Sequence, residues 1–238
     1  MDGQTHPTLT PVRGSDEKEH PMKKRLTALL LLAGLLCAVL SGCGDSSAAV
    51  PSKPEETTRA SSNEIVVAIP QDLDDSLDPH KTVKAGTREV MFNVFEGLLK
   101  PTTDGDLACA LASDYKISDD QLTYTFTLRD DVKFHNGETV TPDDVVYSLL
   151  RCRGDLNDEG VLPIEAFSNM MDVQAVDDHT VVLTLAQPNN EFLSYMTTAI
   201  LPADYDQQDS APVGTGPFRF VSRTAQDSVV LEKFDEYW

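Results

Sequence analysis

Residues 122–150, LTYTFTLRDDVKFHNGETVTPDDVVYSLL, restrict the fold more than any other stretch. Leu122–Leu128 alternates large apolar side chains with threonine. A period of two suits a strand with one face buried and the other toward solvent. Asn136-Gly137 supplies a tight turn, where the backbone takes a shape most residues avoid. Thr141-Pro142-Asp143-Asp144 then opens a helix. Thr141 caps it, Pro142 suits its first turn, and Asp144 completes a short-armed capping box. Both carboxylates favour the positive end of the helix. Val145, Val146, Leu149 and Leu150 give it an apolar face. A half-buried strand followed at once by a capped amphipathic helix demands a helix layered on a sheet. The chain is therefore read as α/β.

Other segments agree with that class. Glu64–Pro70, EIVVAIP, is a short apolar run read as a buried strand. Gly86–Leu98 predicts a helix carrying Val90, Phe92, Val94 and Phe95, with Gly97 as its stop. Val173–Leu185 alternates on both sides of Asp177-Asp178-His179 and predicts a hairpin. Glu191–Ile200 predicts a short amphipathic helix. Gly216–Val221 and Ser228–Phe234 predict a closing pair of strands.

The front of the chain is of another kind. Lys23, Lys24 and Arg25 precede an apolar run, Leu26–Leu40, which ends in Leu40-Ser41-Gly42-Cys43. The run has the length of a signal-peptide core and is short for a membrane span. The ending resembles the lipobox of bacterial lipoproteins, in which lipid is joined to the cysteine and the peptide is cut just before it. Residues 22–42 are thus expected to be a lipoprotein signal peptide, with Cys43 the lipidated new N-terminus. That places the protein outside the cell, anchored to the outer face of the bacterial cytoplasmic membrane; two lipid chains hold stably where one does not. Residues 1–21 are polar and precede a second methionine, Met22, so they are read as a mis-assigned start extension. Residues 43–62 are rich in Ser, Pro and Glu and read as a flexible tether. The folded domain is expected over 63–238.

Chemistry is harder to find. A net charge of −20 repels phosphate backbones and argues against nucleic-acid partners. His80, His135 and His179 are far apart in sequence and read as turn or surface residues, so no metal site is expected. Asp72, Asp74, Asp75 and Asp78 lack the glycine of a calcium loop and read as a solvated acidic loop. Gly214-Thr215-Gly216 lacks the third glycine of a dinucleotide site and reads as a turn. No nucleophile motif stands out, so neither an enzyme nor a cofactor is expected. Cys109 and Cys152 are read as unpaired thiols.

Five stretches in order carry a resemblance. Arg129, Asp130, Phe134, Asn136-Gly137, Val140-Thr141 and Asp144-Val145 match a signature that differs here at Pro142, where alanine is usual. Leu77-Asp78-Pro79-His80, Phe95-Glu96-Gly97-Leu98-Leu99, Asp177-Asp178-His179-Thr180 and Pro212-Val213-Gly214-Thr215-Gly216-Pro217-Phe218 flank it. Together they resemble the family 5 extracellular solute-binding proteins, the peptide and nickel receptors of ABC importers. The resemblance implies the first lobe of a two-lobed, periplasmic-binding-protein-like (type II) fold, with an inserted α/β subdomain and the second lobe absent. Ligand is trapped when such lobes close about a hinge. By the same resemblance, Val83, Lys84 and Ala85 lie on a strand that pairs with the peptide backbone. An oligopeptide ligand, an ABC permease and ATPase as partners, and a monomeric state follow. The alternatives are a nickel-chelate or other small-solute receptor, or a lobe kept as an interaction or adhesion lipoprotein. The chain stops at Tyr237-Trp238, and family members are longer, so an N-terminal fragment is inferred. Those two aromatics are then expected to be exposed or poorly placed, and the chain alone to bind peptide weakly or not at all.

Overall fold

A computed structural model describes residues 63–238. The alternating stretch forms strand β4, Thr123–Leu128, with Tyr124, Phe126 and Leu128 buried. Strands β1 (Leu99–Pro101) and β2 (Leu107–Cys109) form a separate antiparallel pair. Strand β3, Ala112–Ile117, lies antiparallel on one side of β4. The expected hairpin, β5 (Met170–Ala175) and β6 (Thr180–Leu185), adds to the other side, giving the order β3-β4-β6-β5. Register sets Phe126 opposite Val181 and Tyr124 opposite Leu183, so apolar residues meet on one face.

Helix α2, Pro142–Arg153, lies in the same core as that face. Val145, Leu149 and Cys152 are buried with Tyr124, Phe126 and Leu183. Its start is the expected capping box: Thr141 Oγ1 accepts from Asp144 N, and Thr141 N donates to Asp144 Oδ2 at 2.8 Å. The cap also reaches outward, since Ala203 N donates to Asp144 Oδ1 at 2.9 Å and Leu201 N donates to Ser148 Oγ at 2.8 Å. Gly137 makes the preceding turn at φ 90°. Cys109 and Cys152 are both free; burial pushes the Cys152 thiol up to about 12, which leaves it inert at neutral pH.

A second, smaller core gathers Leu73, Leu77, Met91, Val94, Phe95 and Leu201. It joins helix α1 (Ala85–Met91) to the hairpin of β7 (Phe218–Thr224) and β8 (Ser228–Lys233). The larger core draws on residues 98–200 and so interrupts the smaller in sequence. That is the inserted α/β arrangement expected.

Three segments differ from expectation. Residues 64–70 form no strand, and Ile65, Val66 and Val67 are 89%, 78% and 74% exposed. An apolar run becomes a buried strand only beside a partner, and none of the described residues pairs with it. Helix α1 ends at Met91 because the next carbonyls serve elsewhere: Gly216 N donates to Val94 O and Phe218 N to Asn93 O. The Asn93 side chain also donates to Val90 O at 3.1 Å. Residues 191–200 form a tighter 3-10 turn, Phe192–Thr197, in which the Ser194 and Thr197 hydroxyls take the carbonyls of Glu191 and Ser194.

The Gly214-Thr215-Gly216 stretch is a seam rather than a plain turn. A Cβ on Gly214 would stand 2.2 Å from Val94 O, and one on Gly216 would stand 2.5 Å from Asn93 O. Gly214→Ala should therefore cost about 3 kcal/mol, the upper end for overpacking, as read by urea denaturation. Gly86→Ala, inside α1 with ordinary contacts at 3.6 Å, should instead stabilise by about 0.5–1 kcal/mol.

Candidate functional site

The segment leading into α1 is exposed and firmly held. Lys84 is extended, with φ −77° and ψ 128°, and Ala85 begins the helix. Val83 is 66% exposed. Lys84 has no side-chain cap of its own. Asp75 replaces it from a distance: its Oδ2 accepts from Thr82 Oγ1 at 2.5 Å and Lys84 N at 3.4 Å, and its Oδ1 accepts from Thr87 Oγ1 at 2.5 Å. Those donors hold the Asp75 carboxyl below the usual range, although burial pushes it up. The Lys84 ammonium pairs with Asp74.

In extended chain, the N–H and C=O of one residue face one edge and those of the next face the other. Lys84 N faces Asp75, so Val83 and Ala85 present the opposite edge. The N–H and C=O of Val83 and the N–H of Ala85 bond to no other described residue. Two donors and one acceptor of this short stretch thus have no partner among the described residues. Val83 and Ala85 are exposed and apolar, and the Lys84 ammonium is taken up by Asp74. Such an edge accepts the backbone of an added strand.

A few residues earlier in the chain, Asp78 and His80 belong to a buried ionic cluster. Arg151 of α2 reaches Asp78 with two parallel bonds, 3.1 Å to Oδ1 and 2.7 Å to Oδ2. Arg151 and Asp78 are 4% and 1% exposed. Arg151 Nη1 also donates to His80 Nδ1 at 3.1 Å, and His80 Nε2 donates to Ala199 O at 2.9 Å. Arginine cannot accept, so Nδ1 must be bare and the ring neutral. Burial pushes the His80 pKa down to about 4. Arg151 Nε donates to Asp158 Oδ2 at 2.6 Å. A polar hollow of about 380 Å³ beside the pair is lined by Lys81, Tyr147, Asp158 and Asp209, among others. Lys81 bonds Asp209 at 3.1 Å, so part of its acidic wall is already matched.

His135 repeats the pattern. Gly214 N donates to its Nδ1 at 3.3 Å, and its Nε2 donates to Gly216 O at 2.9 Å. The ring staples the signature turn to the glycine seam, and burial lowers its pKa too. His80 and His135 do lie in turns, as expected, but they are no surface residues: His80 is buried and His135 half-buried, while His179 is exposed and pairs with Asp130 at 3.1 Å. The acidic loop is likewise not merely solvated. Asp72 accepts from Gln226 N at 3.0 Å, Asp75 holds Thr82 and Thr87, and Asp78 holds Arg151. Each carboxylate ties the loop to a different element.

Tyr237 and Trp238 also depart from expectation: they are half-buried and bonded. Tyr237 Oη donates to Glu96 Oε1 at 2.8 Å and Trp238 Nε1 to Oε2 at 3.0 Å. The Arg129 guanidinium lies 4.3 Å from the indole centre and the Lys100 ammonium 4.8 Å. Burial raises the Glu96 carboxyl above its usual range even so.

Of the residues expected at the site, Val83, Lys84 and Ala85 are adjacent and accessible, while Cys43 lies outside the described residues, as do the signal segment and the whole tether. The supporting residues Asp75, His80, Arg151 and Glu96 were missed. Only Asp75 had a readable signal, since a carboxylate a few residues before two threonines and a helix start is a ready cap. Among the described residues no three His, Cys, Asp or Glu side chains converge as a metal site.

Comparison with known proteins adds to this geometry. Residues 106–238 match the family described as bacterial extracellular solute-binding proteins, family 5 Middle. The glutathione-binding protein GsiB of Pectobacterium atrosepticum is 35% identical over 171 residues, covering 68% of this chain and 33% of that protein. Heme-binding protein A of Haemophilus influenzae is 32% identical over 250 aligned positions, covering 91% and 45%. The solved periplasmic binding protein DppA from Helicobacter pylori, in complex with peptide STSA, superposes with a TM-score of 0.61 at 27% identity, covering 68% of this chain and 38% of that one. The chain thus spans between a third and under half the length of the curated relatives named.

Two expectations follow. Arg151→Leu leaves Asp78 charged and buried without a partner, and should cost about 3–5 kcal/mol in urea denaturation; adding Asp78→Asn should recover part of that loss. The second concerns pH. Below 6.5 an unfolded chain protonates His80, but the folded chain does so only near 4. Stability is thus complete above 6.5 and falls as pH drops toward 4, by up to about 1.4 kcal/mol per pH unit for each such histidine. His135 acts in the same direction. Denaturation midpoints that stay level from pH 7 to about 4.5 would contradict the neutral rings.

Proposed function

The chain belongs to the bacterial extracellular solute-binding proteins of family 5, and on that premise we propose that it captures oligopeptides outside the cell for an ABC importer. The observation that carries the proposal is the free edge at Val83 and Ala85. Peptide groups are the one feature all peptides share, and backbone donors and an acceptor read them without regard to side chains. Small apolar neighbours and a lysine already neutralised by Asp74 leave the edge without a charge preference of its own. Two of the named relatives support the reading: GsiB is a glutathione-binding protein, glutathione being itself a tripeptide, and DppA is in complex with the peptide STSA.

In this proposal the protein is a monomer held by lipid on Cys43 to the outer face of the cytoplasmic membrane, with residues 43–62 as tether. The captured peptide passes to a membrane permease driven by its ATPase. The role is binding and release, with no bond made or broken. Closure of a second lobe over the edge would add the groups that grip the peptide ends. Three backbone groups alone hold a peptide weakly.

The test is an NMR titration of the 238-residue chain with trialanine, with STSA peptide, with hemin and with a nickel–histidine complex. Both peptides should shift the Val83 and Ala85 amides alike at millimolar concentration. Shifts with hemin or the nickel complex alone would redirect the proposal to a small-solute receptor. Micromolar peptide binding by this chain would show that far more than one edge holds the ligand.

A further inference from the structure

Helix α1 has little reason to start where it does. It has seven residues, one of them Gly86, and no N-terminal cap from its own side chains. Isolated helices of that length do not persist in water, and glycine weakens them further. Yet the course of residues 82–85 depends on where α1 begins. Its footing comes from the buried hydroxyls of Thr82, 6% exposed, and Thr87, 0% exposed. Both donate to the same carboxylate, that of Asp75, one to each oxygen. The two threonines stand five positions apart, on either side of Val83–Ala85. Asp75 therefore spans the ligand edge from behind, and Lys84 N, the donor facing inward, turns toward it as well.

We propose that Asp75 is a positioning residue for the ligand: without touching peptide, its carboxylate clamps Thr82 and Thr87 so that Val83 and Ala85 present their backbone groups in line. The proposal rests on the peptide-binding role given above. A clamp of this kind raises affinity by removing alternatives, not by adding contacts. If the extended form is only fractionally populated, the apparent Kd rises by the inverse of that fraction. Charge-assisted bonds to two hydroxyls suit the task, because they are short and directional. The hydroxyls need an acceptor in a buried place where water cannot serve.

The experiment compares the 238-residue chain with Asp75→Ala, Asp75→Asn and the double variant Thr82→Val/Thr87→Val. Backbone order parameters from 15N relaxation are measured without ligand, and peptide affinity by NMR titration with trialanine and STSA. In Asp75→Ala the order parameters of residues 82–85 should fall from about 0.85 to below about 0.6, while strands β3–β6 keep theirs. Both peptides should bind about tenfold more weakly, by equal factors, since alignment and not side-chain contact is lost. Asp75→Asn keeps one acceptor oxygen and should recover part of the affinity. The threonine double variant should reproduce Asp75→Ala, and it serves if Asp75→Ala does not fold. Unchanged order at residues 82–85 overturns the clamp. So does lost order with unchanged affinity. A parent chain that binds neither peptide overturns the functional premise, and that result is distinct because it is seen before any variant is made.

Discussion

The pair between Asp78 and Arg151 is the constraint from which the rest of the molecule takes its positions. It joins a loop near the start of the described chain to the helix of the larger core. Both groups are almost wholly removed from water. A lone buried charge is costly, so each residue fixes the other, and Arg151 in turn fixes the protonation state of His80. His80 then holds Ala199, where the chain leaves the larger core and returns to the smaller one. The cap of the same helix holds Leu201 and Ala203 through Ser148 and Asp144. One helix thus receives the early loop on its flank and the return of the chain to the smaller core at its first turns.

How much of this was legible depends on distance along the chain. The strand at 123–128, the turn at Gly137 and the capping box at Thr141 were legible because each is local chemistry among near neighbours. The hairpin of β5 and β6 was legible for the same reason. Residues 64–70 were misread because a strand is a property of two segments, and one segment shows only its own hydrophobicity. The turn at 192–197 was misread because hydroxyls competing for carbonyls leave an amphipathic pattern intact while changing the helix type. Asp78 and Arg151 lie 73 positions apart, and nothing local joins them.

The candidate site shows the same division. Resemblance led to Val83–Ala85, and the structure supplied what resemblance does not carry, the direction each peptide group faces. Whether a group is free follows from what the inward-facing Lys84 does with Asp75. The supporting residues are charged or polar and read, one at a time, as ordinary surface. Their meaning lies in convergence: four aspartates in seven residues reach three parts of the fold, Asp72 the turn of the last hairpin, Asp74 and Asp75 the segment entering α1, and Asp78 helix α2.

The junction at Glu96 has a consequence in optics. The chain has one tryptophan, and it sits with its N–H on that carboxylate and two cations near its ring. Ultraviolet emission excited at the red edge therefore comes from a single place, without a background from other indoles. Nearby charges shift indole emission by acting on its excited-state dipole. The colour and lifetime of that light report on how the last two residues rest against Glu96, and on nothing else in the molecule directly. The fold thus carries its own probe at the point where the final hairpin gives way to the end of the described chain.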